Sequence, residues 1–272
     1  MKATSMKKCL VKPGKKVNLA KHDPTDRTAS STFSEKNTRE LAVLSQRLDA
    51  LQNVFHASAK HSLLVVLQGM DTSGKDGTIR HVFSCVDPLG VRVACFKVPT
   101  PDEKSRDFLW RVHREVPGAG EIAIFNRSHY EDVLITRVHG WIDMKECKRR
   151  YKHINAFEKL LADRGTLVLK FYLHISSEEQ KRRLEERLAN PDKQWKFRLG
   201  DLEERKHWDD YMAAYEDALA ATSTDNAPWY IVPSDSKINR NLFISTVLVR
   251  TLERLKLSYP PSEENLEGVV VE

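Results

Sequence analysis

Leu63-Leu64-Val65-Val66-Leu67-Gln68-Gly69-Met70-Asp71-Thr72-Ser73-Gly74-Lys75-Asp76-Gly77 changes character within fifteen residues. The apolar run Leu63–Leu67 is too short for a buried helix and suits a buried strand. A helical stretch begins near Lys75. Strand, glycine-rich turn and helix in that order are the context of a P-loop. Its glycines let successive backbone N–H groups curl around a phosphate, the helix N-terminus adds positive potential, and Lys75 supplies a mobile point charge. One position departs from the usual pattern, because Asp76 stands where Ser or Thr commonly holds magnesium. A carboxylate there is repelled by phosphate unless a cation intervenes. Asp71 offers a hard oxygen ligand to a metal, while either aspartate could instead cap the loop through Asx-type hydrogen bonds.

Outward from this stretch the hydrophobic period alternates between strand and helix, the signature of βαβ units and a mostly parallel sheet. Further strands are expected at Val91–Lys97, Glu121–Phe125, Thr166–Leu173 and Trp229–Val232. Helical spacing is read at Thr38–Phe55, Phe108–Val116, Lys145–Arg164, Asp201–Ala221 and Asn239–Leu257. Five strands interleaved with helices make one doubly wound α/β domain, placed at residues 37–258. The charged segment Glu178–Lys206, broken by Asn190-Pro191 and Gly200, reads as a helical hairpin: an exposed helix pair or a mobile lid whose arginines close over a substrate. Residues 1–36 carry Lys2, Lys7, Lys8, Lys12, Lys15, Lys16 and Lys21 and form a basic arm, either a solvated tail or docked along a basic surface. Residues 259–272, with Pro260 and Pro261 ahead of Glu263, Glu264, Glu267 and Glu272, read as a frayed acidic tail.

The 272 residues are 40% hydrophobic and 30% charged, which argues against a disordered chain. No run of eighteen apolar residues and no apolar segment behind the basic N-terminus point to a membrane span or secretory signal, so a cytoplasmic protein is expected. Cys9, Cys85, Cys95 and Cys147 are widely spaced and read as reduced thiols. Lys and Arg number 44 against 38 Asp and Glu, an excess that suits an anionic partner such as phosphate, nucleic acid or a membrane surface.

A second chemical signal is Ile122-Ala123-Ile124-Phe125-Asn126-Arg127-Ser128-His129-Tyr130-Glu131-Asp132-Val133, a strand that ends abruptly in polar residues. Ligands of open parallel sheets bind beyond the carboxyl ends of strands, so Asn126, Arg127, Glu131 and Asp132 are expected near the P-loop if this strand neighbours the first. Arg127 is a candidate phosphate clamp, and Glu131 or Asp132 a candidate metal ligand. Alternatively the run is a helix cap, with Ser128 at its start and acids in the first turn. His129 is read as structural, since phosphoryl transfer has little need of a general base.

These two runs, together with Thr78-Ile79-Arg80-His81-Val82, Asn190-Pro191 with Lys193-Gln194-Trp195-Lys196-Phe197, and Pro228-Trp229 through Asn239-Arg240-Asn241, resemble the polyphosphate kinase type 2 family. The resemblance extends from about Val17 to Leu257. It implies a P-loop kinase fold similar to thymidylate kinase, with a five-stranded sheet flanked by helices and a helical lid. It also implies magnesium, with manganese as a substitute, and transfer of a terminal phosphoryl group from inorganic polyphosphate to AMP or ADP, giving ADP and ATP. Carried over residue by residue, Asp71, Lys75 and Arg127 are the catalytic set. Gly69, Met70, Thr72, Ser73, Gly74, Lys75, Asp76, Gly77, Asn126 and Arg127 hold phosphate or nucleotide, and Asp71, Glu131 and Asp132 are the metal candidates. Asn126 where other members carry Asp resembles the branch usually called class III, which accepts AMP as well as ADP. A neutral residue there removes one carboxylate from the metal cluster, and that loosening is expected to let a shorter nucleotide be used.

Polyphosphate is a linear polyanion, which gives the basic excess a use. Its expected path is drawn from Arg80, Lys97, Arg137, Arg182, Arg183, Arg187, Lys237 and Arg240. No membrane or nucleic-acid partner is expected, and the resemblance implies a homodimer or homotetramer with Thr38–Phe55 as a contact. Two rival readings stand beside this one: an ATP-dependent kinase of nucleosides or nucleoside monophosphates, and a non-catalytic polyanion-binding protein.

Overall fold

The computed structural model describes residues 3–27, 29–30, 34–262, 264–267, 269 and 271. Strands β1 (Ser62–Gln68), β2 (Val91–Cys95), β3 (Ile122–Asn126), β4 (Thr166–His174) and β5 (Trp229–Pro233) form one parallel sheet in the order β2-β3-β1-β4-β5. β1 is central and every one of its residues is buried, as a strand covered on both faces must be. Successive side chains alternate between faces. Leu64 and Val66 join Phe125, Tyr172 and the helices α4 (Met144–Asp163) and α7 (Trp208–Thr222) in one core. Leu63, Val65 and Leu67 join Phe171 and the helices α2 (Ser34–Ser58) and α8 (Lys237–Arg254) in the other. Two further helices, α5 (Ser177–Ala189) and α6 (Leu199–Lys206), make the charged hairpin, with the turn Pro191–Gln194 between them. Helix α3 (Lys75–Val82) follows β1, and α1 (Ala3–Cys9) opens the chain.

Two helical stretches are shorter than their periodicity suggests. Only Trp110–His113 of the 108–116 stretch is helical, because Asp107 caps the Leu109 N–H and Arg111 turns inward to the Lys97 carbonyl. The 201–221 stretch breaks at His207 into α6 and α7. There Arg205 is drawn towards α5 by Ser177 and Gln180, whereas Tyr215, Ala218 and Leu219 pack onto the sheet.

The arm is docked over much of its described length. Leu10 bridges Tyr230 in antiparallel fashion, and the Val11 N–H donates to the Trp229 carbonyl at 2.9 Å, so the outer edge of β5 is covered. The chain then climbs past Glu216, which accepts from the Leu19 N–H, to the carboxyl ends of β4 and β5. Here the His22 carbonyl meets His174, and the Pro24 carbonyl meets the Asp235 N–H. Lys12, Lys15, Lys16 and Lys21 stay exposed, as do the described residues after Leu257.

A buried charged network supports the turn that follows β3. Lys170 of β4 is fully buried and donates to Glu158 of α4 at 2.6 Å, to the Tyr130 hydroxyl at 2.8 Å and to the Thr222 carbonyl at 2.7 Å. Burial opposes the charge on Glu158, but Lys170 and His129 hold its carboxyl below the usual range. His129 is wholly buried with its Nε2 3.3 Å from Glu158, and so stands beneath the site rather than in it. Uncompensated charges in such a place are strongly destabilising, whereas a fully bonded cluster fixes one arrangement.

Candidate active site

The P-loop takes its shape from backbone angles that few side chains tolerate. Gly69 lies at φ +153° and Gly74 at φ +104°, the latter capping α3. A Cβ on Gly74 would stand 1.9 Å from Nη1 of Arg240, so both angle and space exclude a side chain. Lys75, 8% exposed, folds back to donate to the carbonyls of Gly69 at 2.7 Å and Met70 at 3.2 Å. Burial, with Arg127 nearby, lowers its pKa to about 8 against the opposing pull of Asp71, Glu131 and Asp76.

β3 neighbours β1 in register, with Asn126 opposite Leu67, which brings the second motif beside the first. Arg127 sits at φ +61° and donates to Asp71 Oδ1 at 2.9 Å. Despite burial, Glu131 and Asp71 hold its proton more tightly than usual. Glu131 accepts from Gln68 at 3.1 Å. Asp71, Lys75, Arg127 and Glu131 therefore share one site. Asn126 donates to Asp76 Oδ1 at 2.9 Å, and Lys196 of the charged hairpin donates to Asp76 Oδ2 at 3.1 Å.

Asp132 points elsewhere. It lies 3.6 Å from Arg111 and 3.7 Å from Arg150, and burial raises its pKa to about 6 despite those two cations. It lines a cleft of about 630 Å³ beside β2 and β3, with Arg106, Arg111, Arg149, Arg150 and His153 among the other walls. Sequence reasoning missed this cleft, because its cationic walls come from the β2–β3 connection and from α4, which are far apart in the chain.

The eight cations proposed for the polyphosphate path separate by burial. Arg80, Lys97 and Lys237 are exposed. Arg182 is exposed and paired with Glu179. Arg187 meets Asp201 at 3.5 Å and Arg137 meets Asp217 at 2.8 Å. Arg183 and Arg240 differ from the rest, since both are buried behind the loop. Arg183 donates to the carbonyls of Thr72, Ser73, Ser234 and Asp235, and Arg240 to the Ser73 carbonyl and Asn241. Gln180 adds a bond to the Asp71 carbonyl. These groups hold the loop's carbonyls of Asp71, Thr72 and Ser73 from outside, while the Ser73 N–H donates to the Met70 carbonyl within the loop.

The donor set suits magnesium, which takes one or two carboxylates together with phosphates and water. Asp71 and Glu131 are half-buried carboxylates at the mouth of the loop. The buried side-chain oxygens of Gln68, Thr72, Ser73 and Thr78 around it have no hydrogen-bond partner within the chain. Among the described residues no three His, Cys, Asp or Glu side chains converge into a protein-only cage.

Known proteins are similar to this chain in sequence and in fold. The chain is 52% identical to an AMP/ADP-polyphosphate phosphotransferase of Meiothermus ruber, over 98% of this chain and 100% of that protein. It is 44% identical to an ADP-polyphosphate phosphotransferase of Rhodopseudomonas palustris, over 91% and 89% of the two chains. The crystal structure of polyphosphate kinase 2 from Arthrobacter aurescens TC1 superposes with a TM-score of 0.91 at 43% identity, covering 95% of this chain and 92% of that one. With the model of that family matching residues 31–259, and with the P-loop and parallel sheet that the resemblance implies in place, the chain belongs to the polyphosphate kinase 2 family.

Proposed function

We propose that this protein transfers the terminal phosphoryl group of inorganic polyphosphate to AMP and ADP, forming ADP and ATP. The observation that carries this reading is the convergence of Lys75 and the Arg127–Asp71 pair on one P-loop, beside an arginine-lined cleft of nucleotide size. The names of the relatives from Meiothermus ruber and Rhodopseudomonas palustris support the same donor and acceptors. A polyphosphate:AMP phosphotransferase of Pseudomonas syringae, 39% identical over 65% of this chain and 36% of that protein, supports AMP.

The acceptor oxygen of a nucleotide phosphate is already ionised at neutral pH, so no general base is required. Catalysis is positioning and charge neutralisation. Lys75 and Arg127 neutralise the transferred group and hold it in line, while the loop N–H groups cradle it. Arg183 and Arg240 act from behind by fixing those N–H groups. Asp71 and Glu131 would hold a divalent cation, magnesium or manganese, which would supply electrostatic stabilisation of negative charge on the phosphoryl oxygens. Arg80, Lys97, Arg137, Arg182, Arg187 and Lys237 serve the polyanion path, residues 37–258 act as one kinase domain with a lid at 178–206, and a cytoplasmic homodimer or homotetramer is the working form.

The experiment supplies purified protein with magnesium and long-chain polyphosphate, offers AMP or ADP, and separates the products by chromatography. ADP followed by ATP from AMP is the expected result. ATP from ADP alone would remove the AMP reaction, and transfer only from ATP to a nucleoside or its monophosphate would replace the donor.

A further inference from the structure

Asp76 occupies a position beside the phosphate site where a bare carboxylate repels the substrate. Its charge is instead divided between two partners. Asn126, at the end of β3, donates to one oxygen at 2.9 Å, and Lys196, carried by the lid, donates to the other at 3.1 Å. Against the upward push of partial burial, these bonds hold the carboxyl below the usual range. The two partners come from opposite sides: Asn126 from the sheet that forms the floor, Lys196 from the segment 120 residues beyond Asp76 that forms the roof.

The lid is anchored unevenly. At its root Arg183 and Gln180 are buried and bonded to the loop backbone. At its tip the contact is the Asp76–Lys196 pair, with side chains 60% and 27% exposed. An ion pair of that exposure is weak and exchanges readily. Its value lies in placement, for it sets a cation between Asp76 and the space above the loop. An acid at position 126 would set two carboxylates at hydrogen-bond distance.

We propose that Asp76 is a charge-balanced residue, its carboxylate screened from the phosphate site by the lid cation Lys196 on one side and the Asn126 amide on the other, and that this carboxylate is what requires an uncharged amide at position 126. The proposal rests on the reading of the site as a polyphosphate site. Loss of either partner then leaves Asp76 unbalanced beside a polyanion, and neutralising Asp76 relieves both defects.

The test measures equilibrium binding of long-chain polyphosphate by calorimetry, and KM for polyphosphate, in five variants. Lys196→Met and Asn126→Asp are each expected to weaken binding about tenfold. Asp76→Asn is expected to bring both back, so that D76N/K196M and D76N/N126D each bind within about threefold of wild type. Double variants no better than the corresponding single variants would overturn the proposal. So would D76N alone abolishing turnover, which is the mark of a metal ligand. Two independent rescues keep the outcome decidable if one single variant folds poorly. Because binding is read without turnover, wild-type protein that binds polyphosphate yet transfers nothing would defeat the functional reading and leave this test intact.

Discussion

The ammonium of Lys75 donates to the carbonyl of Gly69 at 2.7 Å, so this cation is folded back onto its own loop. Burial, with Arg127 nearby, brings its pKa down to about 8 from 10.5. Between those two values the unfolded chain holds more protons than the folded one, and stability therefore rises with pH. Relative to Lys75→Met, wild-type protein is expected to gain about 1–3 kcal/mol between pH 7.5 and 10, read as the difference in denaturation midpoints. Catalysis has the opposite sense, because the charged form is the useful one. kcat/KM for polyphosphate should fall above about pH 8, and the limb in kcat should lie further alkaline, since bound phosphate favours the ammonium. A kcat/KM profile flat to pH 10 would contradict the assignment.

Arg182 and Arg183 are adjacent on α5 but differ in what they hold. Arg183→Ala strips the carbonyls of Thr72, Ser234 and Asp235 of their donor, leaves Ser73 with Arg240 alone, and leaves Glu179 partly unpaired. A loss of about 3 kcal/mol is expected, in the range for breaking a buried charged network. Arg182→Ala should change stability by less than about 0.5 kcal/mol and weaken polyphosphate binding a few-fold. Thermal melts and binding isotherms of the two variants check the contrast.

Gly74 and Gly77 both lie in the glycine-rich turn but have opposite tolerance. Gly74→Ala faces φ +104° and a Cβ 1.9 Å from Arg240, and about 2 kcal/mol or more of destabilisation is expected. At Gly77 the nearest atom to a Cβ is the guanidinium end of Arg240 at 3.4 Å, and the backbone is helical. Gly77→Ala should therefore be neutral or stabilising by up to about 1 kcal/mol. Chemical denaturation gives both numbers.

Asp71 and Asp132 offer carboxylates to different places. Asp71→Asn is expected to raise the magnesium concentration for half-maximal turnover by about tenfold, because it removes a hard oxygen from the loop mouth. Asp132→Asn should leave that concentration within about twofold and raise KM for the nucleotide instead, since Asp132 orders Arg111 and Arg150 in the cleft. Equal shifts in the metal requirement would return Asp132 to the metal site.

The P-loop was legible because its signal is local: a buried run, glycines at fixed offsets and a helix start all lie within fifteen residues. Arg127 followed from strand order alone, once β3 was taken to neighbour β1. Burial within a helix was not legible. Arg182 and Arg183 are the same residue type one position apart, and a rotation of about 100° sends one to solvent and the other behind the loop. Glu131 and Asp132 part for a similar reason, since a tight helical turn at His129–Val133 aims them in different directions. The Asp76–Lys196 pair joins residues 120 positions apart, and no spacing rule reaches that far. The break at His207 was missed because no Gly or Pro marks it between Asp201 and Ala221, while the pull of α5 on Arg205 is tertiary.

Sealing the β5 margin with residues 10 and 11 leaves β2 as the other outer strand of the sheet, paired among the described residues with β3 alone. A sheet with two bare margins can grow without limit by adding strands, whereas one with a single bare margin stops when that margin is met once. The short N-terminal bridge thus occupies one margin of the sheet at Trp229 and Tyr230, so that a second copy adding a strand here would have to do so at β2.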